Sequence, residues 1–281
     1  MKHGKSKMKT LLSSTFAFLL TLLFFTLFVC IGFGFGVFNN KNVVSKLNET
    51  SYNTSVYEVM KTKADEIVKQ AGLPVTVLNN AITMERVFVN ENNYINSTLN
   101  GKSSGISTDK LKTSLTDNMN QYFKEQGIDQ TAEVKAVADK VVTKVEQEYL
   151  SVLKLKFLNE YVKYKVRFDH LMIIVIPLLV VLIGVLCFLL LKMHHHKHRG
   201  LRYINYALIS SSLLFTLGAI YLLVNKGYKN LNVMPYYYRN FLTAYLKWDI
   251  MAFLYIGGMG IIISAAMISL AGFLKSRMSN N

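Results

Sequence analysis

Residues 171–191 read LMIIVIPLLVVLIGVLCFLLL and contain no charged residue and no histidine. About 20 apolar residues in an α-helix are enough to cross a hydrocarbon core about 30 Å thick. Residues 11–38, 203–224 and 250–274 are also long enough to cross, and they too lack Asp, Glu, Lys, Arg and His. The sequence therefore predicts an all-α membrane protein with four transmembrane helices.

The formal net charge of +15 is concentrated in short segments beside these spans. Residues 1–10, 192–202 and 275–281 together carry ten Lys and Arg and no acidic residue, whereas residues 40–169 carry 18 basic and 16 acidic residues. Basic residues in short loops favour the cytoplasmic side of a membrane. We therefore expect both termini to be cytoplasmic, and the charge does not require a nucleic-acid partner.

This orientation places one large segment outside the cytoplasm. The predicted order is a basic cytoplasmic N-terminus at 1–10, a first span at 11–38, an extracytoplasmic helical-bundle domain at 39–170, a second span at 171–191, a cytoplasmic His-rich and basic loop at 192–202, a third span at 203–224, an extracytoplasmic aromatic and basic loop at 225–249, a fourth span at 250–274 and a cytoplasmic tail at 275–281.

The 39–170 segment has the residue pattern of a bundle of three or four helices. From Val56 to Ala71, apolar residues recur every three or four positions, and Gly72 ends this stretch. Farther along, Ser107 has the residue type and position of a helix N-cap. We expect the bundle to close its core through such amphipathic faces.

The last helix of this segment is predicted to be long. Either Asp129 or Thr131 can cap its first turn. No Gly or Pro occurs from Ile128 until Pro177, so the pattern predicts one continuous helix that runs from about Thr131 into the second span.

Cysteine usage and composition indicate a compartment. Cys30 and Cys187 both lie in predicted spans, and the 39–170 segment has no cysteine for a disulfide framework. The first span is too long for the apolar core of a cleaved signal peptide, so we expect it to be retained. The Lys-, Asn-, Ile- and Tyr-rich exterior favours the plasma membrane of a Gram-positive bacterium.

Four histidines in the 192–202 loop raise the question of a metal site. Imidazole binds Zn, Ni or Cu, but the loop has no cysteine or carboxylate, and its Lys and Arg repel cations. Contact with anionic lipid headgroups, about 1 kcal/mol per Lys or Arg, is the favoured interpretation. No metal and no other cofactor are therefore predicted. The histidines concerned are His194, His195, His196 and His198.

The 225–249 loop is the predicted binding surface. Its aromatic residues are typical of a membrane-interface belt, because each ring has an apolar body and a polar edge. The alternative is a surface for a lipid headgroup or a partner, where Arg239 would form bidentate contacts with phosphate. The residues are Tyr236, Tyr237, Tyr238, Arg239, Tyr245, Lys247 and Trp248.

Small residues at helical spacing predict where the spans pack. In lipid, helices associate through close backbone approach, which small side chains permit. Packing among the four spans is favoured over packing against another protein. The predicted packing residues are Gly32, Gly36, Ala207, Ser211, Gly218, Gly257, Gly260 and Ser264.

The absence of chemical signatures limits the function. The sequence contains no recognisable nucleotide-binding, hydrolase or metalloprotease motif, and the predicted spans contain no ionisable group for catalysis or ion coupling. We therefore expect a non-enzymatic accessory subunit that binds an envelope protein or ligand and docks into a larger membrane assembly. Besides the lipid bilayer, its partner would be another membrane protein or a second copy of the chain. The alternative is an oligomeric channel or a lipid-moving protein.

Overall fold

The structure is a computed structural model that describes residues 2–102, 105–155, 157–194 and 196–279. Within these ranges it contains nine α-helices, two short 3-10 helices and no β-strand. The α-helices are α1 (Lys2–Phe35), α2 (Asn40–Glu49), α3 (Tyr52–Gln70), α4 (Met84–Leu99), α5 (Asp109–Glu125), α6 (Ala132–Leu153), α7 (Leu158–Met193), α8 (Lys197–Asn225) and α9 (Tyr236–Ser279), and the 3-10 helices are Val75–Leu78 and Gly227–Lys229.

Four of the described helices, α1, α7, α8 and α9, are long and apolar enough to cross a membrane. This result confirms the predicted all-α chain with four candidate spans. The first span has the predicted length of 28 residues but runs from Met8 to Phe35, because α1 ends at Phe35 and residues 36–38 form a turn. The fourth helix is longer, because α9 begins at Tyr236. Its first 14 residues, 236–249, add about 20 Å of helix before the predicted span.

The chain divides into two compact units. The first, here called the membrane unit, comprises Met1–Val43, Val166–Val233 and Leu242–Asn281. The second, here called the helical domain, comprises Val44–Lys165 and Met234–Phe241. The helical domain therefore contains α3 to α6 and also the first residues of α9.

The helical domain is built from amphipathic helices that share one core. Helix α3 packs against α4 and α6, and α5 packs against α6. Gly72 ends the α3 stripe with φ +75°, a conformation that glycine adopts without steric cost. The fully or nearly fully buried residues include Val56, Met60, Ala64, Val68, Val87, Ile95, Leu111, Leu115, Met119, Val141, Val145 and Tyr149.

One predicted N-cap differs from the structure. The Thr131 hydroxyl accepts a hydrogen bond from the Val134 backbone N–H, at 3.4 Å, and so caps α6 as expected. The cap position of α5 is Thr108, one residue after the predicted Ser107. The Ser107 carbonyl accepts a hydrogen bond from Asn90 Nδ2 at 2.9 Å, which holds Ser107 outside the helix.

The predicted continuous helix into the second span is wrong. Helix α6 ends at Leu153, and α7 begins at Leu158. Leu153, Leu155 and Leu158 are all at most 2% exposed. In one α-helix, Leu153 and Leu155 would point about 200° apart. The extended backbone of Lys154, with ψ 113°, lets all three leucines reach the core without a Gly or Pro at the break.

In the membrane unit, α8 and α9 approach closely and run antiparallel. A Cβ atom added to Gly257 would overlap Thr216 Oγ1, and one added to Gly260 would overlap Ser212 Oγ. Farther along, Ser264 Oγ donates a hydrogen bond of 2.8 Å to Asn205 Oδ1, and both residues are buried. The absent side chains on α9 therefore make room for hydroxyl groups on α8.

We expect Gly257→Ala to destabilise the membrane unit by about 1–3 kcal/mol, because the new methyl group must displace Thr216 or separate the two helices. Gly258→Ala is the matched control, since a Cβ at Gly258 meets no described atom within 4 Å. Thermal unfolding of the full chain in detergent is the measurement. Equal melting temperatures for the two variants would contradict the close helix approach.

Candidate functional site

The predicted binding residues lie on the first four turns of α9 and are divided between the two units. Tyr236, Tyr237, Tyr238 and Arg239 belong to the helical domain. Of these, Tyr237 is buried, Tyr238 is half-buried, and Tyr236 and Arg239 are exposed. One side of this segment, with Tyr237 and part of Tyr238, therefore faces the interior of the helical domain, and the other side faces outward.

The other three predicted binding residues belong to the membrane unit. Tyr245 is buried, and its hydroxyl donates a hydrogen bond to the Val37 carbonyl in the turn after α1. Lys247 is exposed and Trp248 is half-buried. Tyr245 thus connects α9 to the end of α1, whereas Lys247 remains available to lipid or solvent.

An aromatic cluster fills the inward side of the helical-domain segment. The Tyr52 and Tyr237 rings lie 5.2 Å apart between centroids in an edge-to-face arrangement. Phe157 lies 5.4 Å from Tyr238 and 5.7 Å from Phe241. The edge-to-face Tyr52–Tyr237 pair is favourable beyond its burial alone, and the two Phe157 pairs are tilted. Long-range packing thus brings together rings from α3, from the residue before α7 and from α9.

Sequence reasoning missed Tyr52 and Phe157. Tyr52 stands four residues before Val56, so extending the apolar stripe of α3 back by one turn would have found it. Phe157 gave no such signal, because it lies in the break between α6 and α7 that the sequence did not predict.

Beside this aromatic cluster, the helical domain contains an open cavity of about 300 Å³. This volume is at the lower end of the range for small-molecule sites. Aromatic and aliphatic side chains form most of the wall, and two lysines contribute positive charge. The cavity is lined by Tyr52, Val59, Lys63, Ser151, Val152, Lys154, Leu155, Met234, Pro235, Tyr237 and Tyr238.

The two lysines of the cavity differ in their pairing. Lys63 of α3 forms an ion pair with Glu148 of α6. Lys154 is exposed, and among the described residues no carboxylate lies within ion-pair distance of it. The charge of Lys63 is therefore already neutralised by Glu148, whereas the charge of Lys154 is available to an anionic group in the cavity.

A buried acid lies in the core near the cavity wall. Glu91 of α4 is 0% exposed, and neither of its carboxylate oxygens has a hydrogen-bond partner among the described residues. It occupies a core position of α4, four residues after the buried Val87. Burial raises the pKa of Glu91 to about 8. Burial, and to a smaller extent the nearby Glu91, also raises the pKa of Tyr52.

The hydroxyl groups around Glu91 are involved in a partial polar network. Tyr149 OH accepts a hydrogen bond of 2.9 Å from Asn90 Nδ2, and Asn90 stands beside Glu91 in α4. Burial raises the pKa of Tyr149, so its hydroxyl stays protonated at neutral pH. Because Glu91 lies in the apolar core and has no ion-pair or hydrogen-bond partner among the described residues, its carboxyl group stays protonated and neutral below pH 8.

Seven of the eight predicted packing residues lie at close contacts or in buried positions of the membrane unit. A Cβ on Gly32 would clash with the Phe253 ring, and one on Gly36 would lie 3.4 Å from Asp249 Oδ1. Ala207 belongs to a buried cluster with Leu20 and Leu190. The remaining four are Ser211, which is 0% exposed, and Gly257, Gly260 and Ser264 at the α8–α9 contact.

Gly218 is the exception, because a Cβ added there would meet no described atom within 4 Å. Ser212 and Thr216 form the contact with α9 instead. Sequence reasoning missed both, since α8 is apolar around most of its circumference and small residues occur on more than one side.

The His-rich loop is described in part. His194 Nδ1 lies 3.0 Å from the Leu190 carbonyl, and the rings of His196 and His198 are stacked at 5.6 Å. His195 lies outside the described residues. Within the described chain, no group of three or more His, Cys, Asp or Glu is arranged to hold a metal ion. Lipid contact by this loop stays a prediction.

No protein-family model, curated protein or solved structure matches this chain.

The buried Glu91 predicts a stability that depends on pH. Its pKa is raised from 4.5 to about 8 in the folded domain, so the folded state holds the proton more tightly than the unfolded state. The resulting stabilisation is complete below pH 4.5 and is lost as pH rises through 8. We expect the free energy of unfolding of the helical domain to fall by up to about 1.4 kcal/mol per pH unit within this window.

Proteolysis of the helical domain in urea, in the intact chain at several pH values, measures this loss. Glu91→Gln should remove most of the pH dependence, because the amide has no proton to lose. Glu85→Gln, on the exposed first turn of the same helix, should retain it. A pH profile that is unchanged in Glu91→Gln would show that another group is responsible.

Proposed function

We propose that this chain is a non-enzymatic accessory subunit of a larger membrane assembly. In this proposal the helical domain lies on the extracytoplasmic side and binds an envelope ligand or protein. The spans anchor this domain and dock into the assembly. The observation that carries the proposal is the cavity beside the aromatic cluster, which combines rigid rings with a lysine, Lys154, that has no ion-pair partner among the described residues.

The lining of the cavity favours a particular ligand chemistry. The cavity has an aromatic surface, formed by Tyr52, Tyr237 and Tyr238. Such surfaces bind apolar groups, including lipid chains and the apolar faces of sugars. Lys154 is positioned at the same cavity and can bind a carboxylate or phosphate as a point charge. We therefore propose a ligand, or a segment of a partner protein, with an apolar body and an anionic group.

The charge distribution supports the orientation. In this proposal all four candidate spans cross the bilayer, so segments 1–10, 192–202 and 275–281 lie on the same side, and short basic segments favour the cytoplasm. The helical domain is then extracytoplasmic. Together with the cysteine-free composition of residues 39–170, this orientation supports our proposal of a bacterial plasma membrane.

The surfaces of the spans support docking within the bilayer. On α7, the apolar side chains of Ile173, Ile174, Val181 and Phe188 are each more than 60% exposed. In a membrane such surfaces contact lipid tails or the spans of another protein. Lipid contacts most of the circumference of α7, and the span of a partner contacts the rest.

We expect a stoichiometric membrane partner to co-purify with the full chain, tagged at its C-terminus and extracted in mild detergent at native expression. Lys154→Glu should lower the partner yield, because the new carboxylate repels an anionic group at the cavity. Lys140→Glu, an equal charge change at an exposed position of α6 outside the cavity lining, is the control.

Two results would overturn this proposal. If the chain purifies only with copies of itself, an oligomeric channel or lipid-moving protein becomes the better interpretation. If a partner is retained equally by both charge variants, the cavity is not where binding occurs.

A further inference from the structure

The helical domain contains a second cavity that shares a residue with the cavity beside the aromatic cluster, here called the first cavity. The second cavity has a volume of about 520 Å³, within the range of about 300–1,000 Å³ that is typical of small-molecule sites. Lys154 lines both cavities. The two cavities therefore meet at this lysine.

Residues on either side of the break between α6 and α7 line different cavities. Ser151 and Val152, near the end of α6, line the first cavity. Asn159 and Val162, in the first turns of α7, line the second. Lys154 follows the last residue of α6 and has an extended backbone with ψ 113°. Its position in the break makes it accessible from both cavities.

A second lysine is held at the second cavity by the turn that ends α4. The Gly101 N–H donates a hydrogen bond of 2.9 Å to the Thr98 carbonyl, and the Lys102 N–H donates one of 2.9 Å to the Ser97 carbonyl. These are the two hydrogen bonds of a Schellman motif, and Gly101 has the positive φ, +70°, that the motif requires. The motif fixes the backbone from which the Lys102 side chain reaches the second cavity.

The charges of these two lysines are available to a ligand. Both Lys102 and Lys154 are exposed, and among the described residues no carboxylate lies within ion-pair distance of either. No Asp or Glu is among the described residues that line the second cavity. A carboxylate would neutralise only one lysine, whereas a phosphate monoester carries a charge of about −1.5 to −2 at neutral pH. The pair of lysines therefore favours a phosphate group.

The wall of the second cavity also supplies neutral hydrogen-bond donors. Tyr94 and Thr98 of α4 have hydroxyl groups, and Asn159 of α7 has an amide group. Burial raises the pKa of Tyr94, so its hydroxyl stays protonated at neutral pH and can donate to a phosphate oxygen. A phosphate group has three strong acceptor oxygens, so lysines and neutral donors can bind it together.

We propose that the two cavities form one binding site for a phosphorylated amphiphile, a molecule with one apolar chain and one phosphate group. The phosphate group binds Lys102 and Lys154 in the second cavity. The chain extends past Lys154 into the first cavity, where it lies against the rings of Tyr52 and Tyr237. This inference rests on the proposed ligand-binding role of the helical domain, and it names the class of ligand.

The two halves of the site select a ligand that joins both features. A free phosphate ion would leave the aromatic wall of the first cavity without a partner, and a fatty acid would neutralise only one of the two lysines. When a chain and a phosphate group are covalently joined, binding of one half raises the effective concentration of the other half at its cavity. The affinity of the joined molecule should therefore exceed that of either part.

Binding of octyl phosphate, a soluble phosphorylated amphiphile, to the full chain in phosphatidylcholine nanodiscs tests this proposal. Isothermal titration calorimetry gives the Kd once the heat from empty nanodiscs is subtracted. Two comparison ligands each lack one recognised feature, because octanoate has a single negative charge and inorganic phosphate has no chain. We expect octyl phosphate to bind at least about tenfold more tightly than either.

Substitution of each lysine tests where the phosphate group binds. Lys102→Gln and Lys154→Gln should each raise the Kd of octyl phosphate about tenfold, because a charge-assisted hydrogen bond is lost. Lys140→Gln is the matched control, since Lys140 is exposed on α6 and lines neither cavity. Both cavity lysines are exposed, so their variants should melt at the temperature of the native chain, which circular dichroism checks.

A substitution in the first cavity tests where the chain lies. Val59 lines the first cavity and not the second, so Val59→Phe reduces the space for the chain alone. The Kd of octyl phosphate should rise in this variant, whereas the Kd of inorganic phosphate should stay the same. An unchanged Kd for octyl phosphate would show that its chain lies elsewhere, which would overturn the proposal.

Two further results would overturn it. Octyl phosphate could bind no more tightly than octanoate or inorganic phosphate, or Lys102→Gln could bind it as the native chain does. Either result would leave the accessory-subunit proposal in place if Lys154→Glu still lowered the partner yield. Conversely, tight octyl phosphate binding by a chain that purifies only with copies of itself would support this ligand class and contradict the accessory subunit.

Discussion

The membrane unit depends on the close packing of α8 against both α1 and α9. Lipid tails are as apolar as the side chains of a span, so helices in a bilayer are held by close packing and hydrogen bonds. Gly257 and Gly260 supply the space, and the 2.8 Å hydrogen bond from Ser264 to Asn205 fixes the register. The same contact removes hydroxyl groups from lipid and places them in a line. The burial of Asn205 and Ser212 is therefore a consequence of how these helices pack.

In the helical domain, one short irregular segment has a comparable influence. The break between α6 and α7 allows Leu155 and Leu158 to be buried together with Leu153. It also brings Phe157 against Tyr238 and places Lys154 in the wall of the cavity. A continuous helix would have buried fewer leucines and could not have placed these side chains in the same way. Core formation and the shape of the candidate site thus have the same origin.

The sequence predicted those parts of the fold in which one helix face differs from the others. The α3 stripe from Val56 to Val68 is buried as its period indicated, because polar residues on the other faces leave only one way to pack it. In α8 the sequence does not identify the packed face, since apolar residues surround the helix. The Ser212 and Thr216 contact became visible only once α9 was in place. The break at Lys154 had no local signal either, because the burial of distant leucines produces it.

Asp249 shows most clearly why the chemistry of the membrane unit was missed. A hydropathy argument ends a span at the first charge, which assigned Asp249 to a loop and left the spans without an ionisable group. The structure instead continues α9 back to Tyr236 and buries Asp249 beside the end of α1. The chain has 32 Lys and Arg residues, yet Asp249 and Glu91 are buried with no hydrogen-bond partner among the described residues. An ion pair would fix the charge of such an acid, whereas an unpaired buried acid can gain or lose its proton in response to its surroundings. The prediction that no ionisable group lies in a span rested on a fourth span that begins after Asp249, whereas α9 begins at Tyr236.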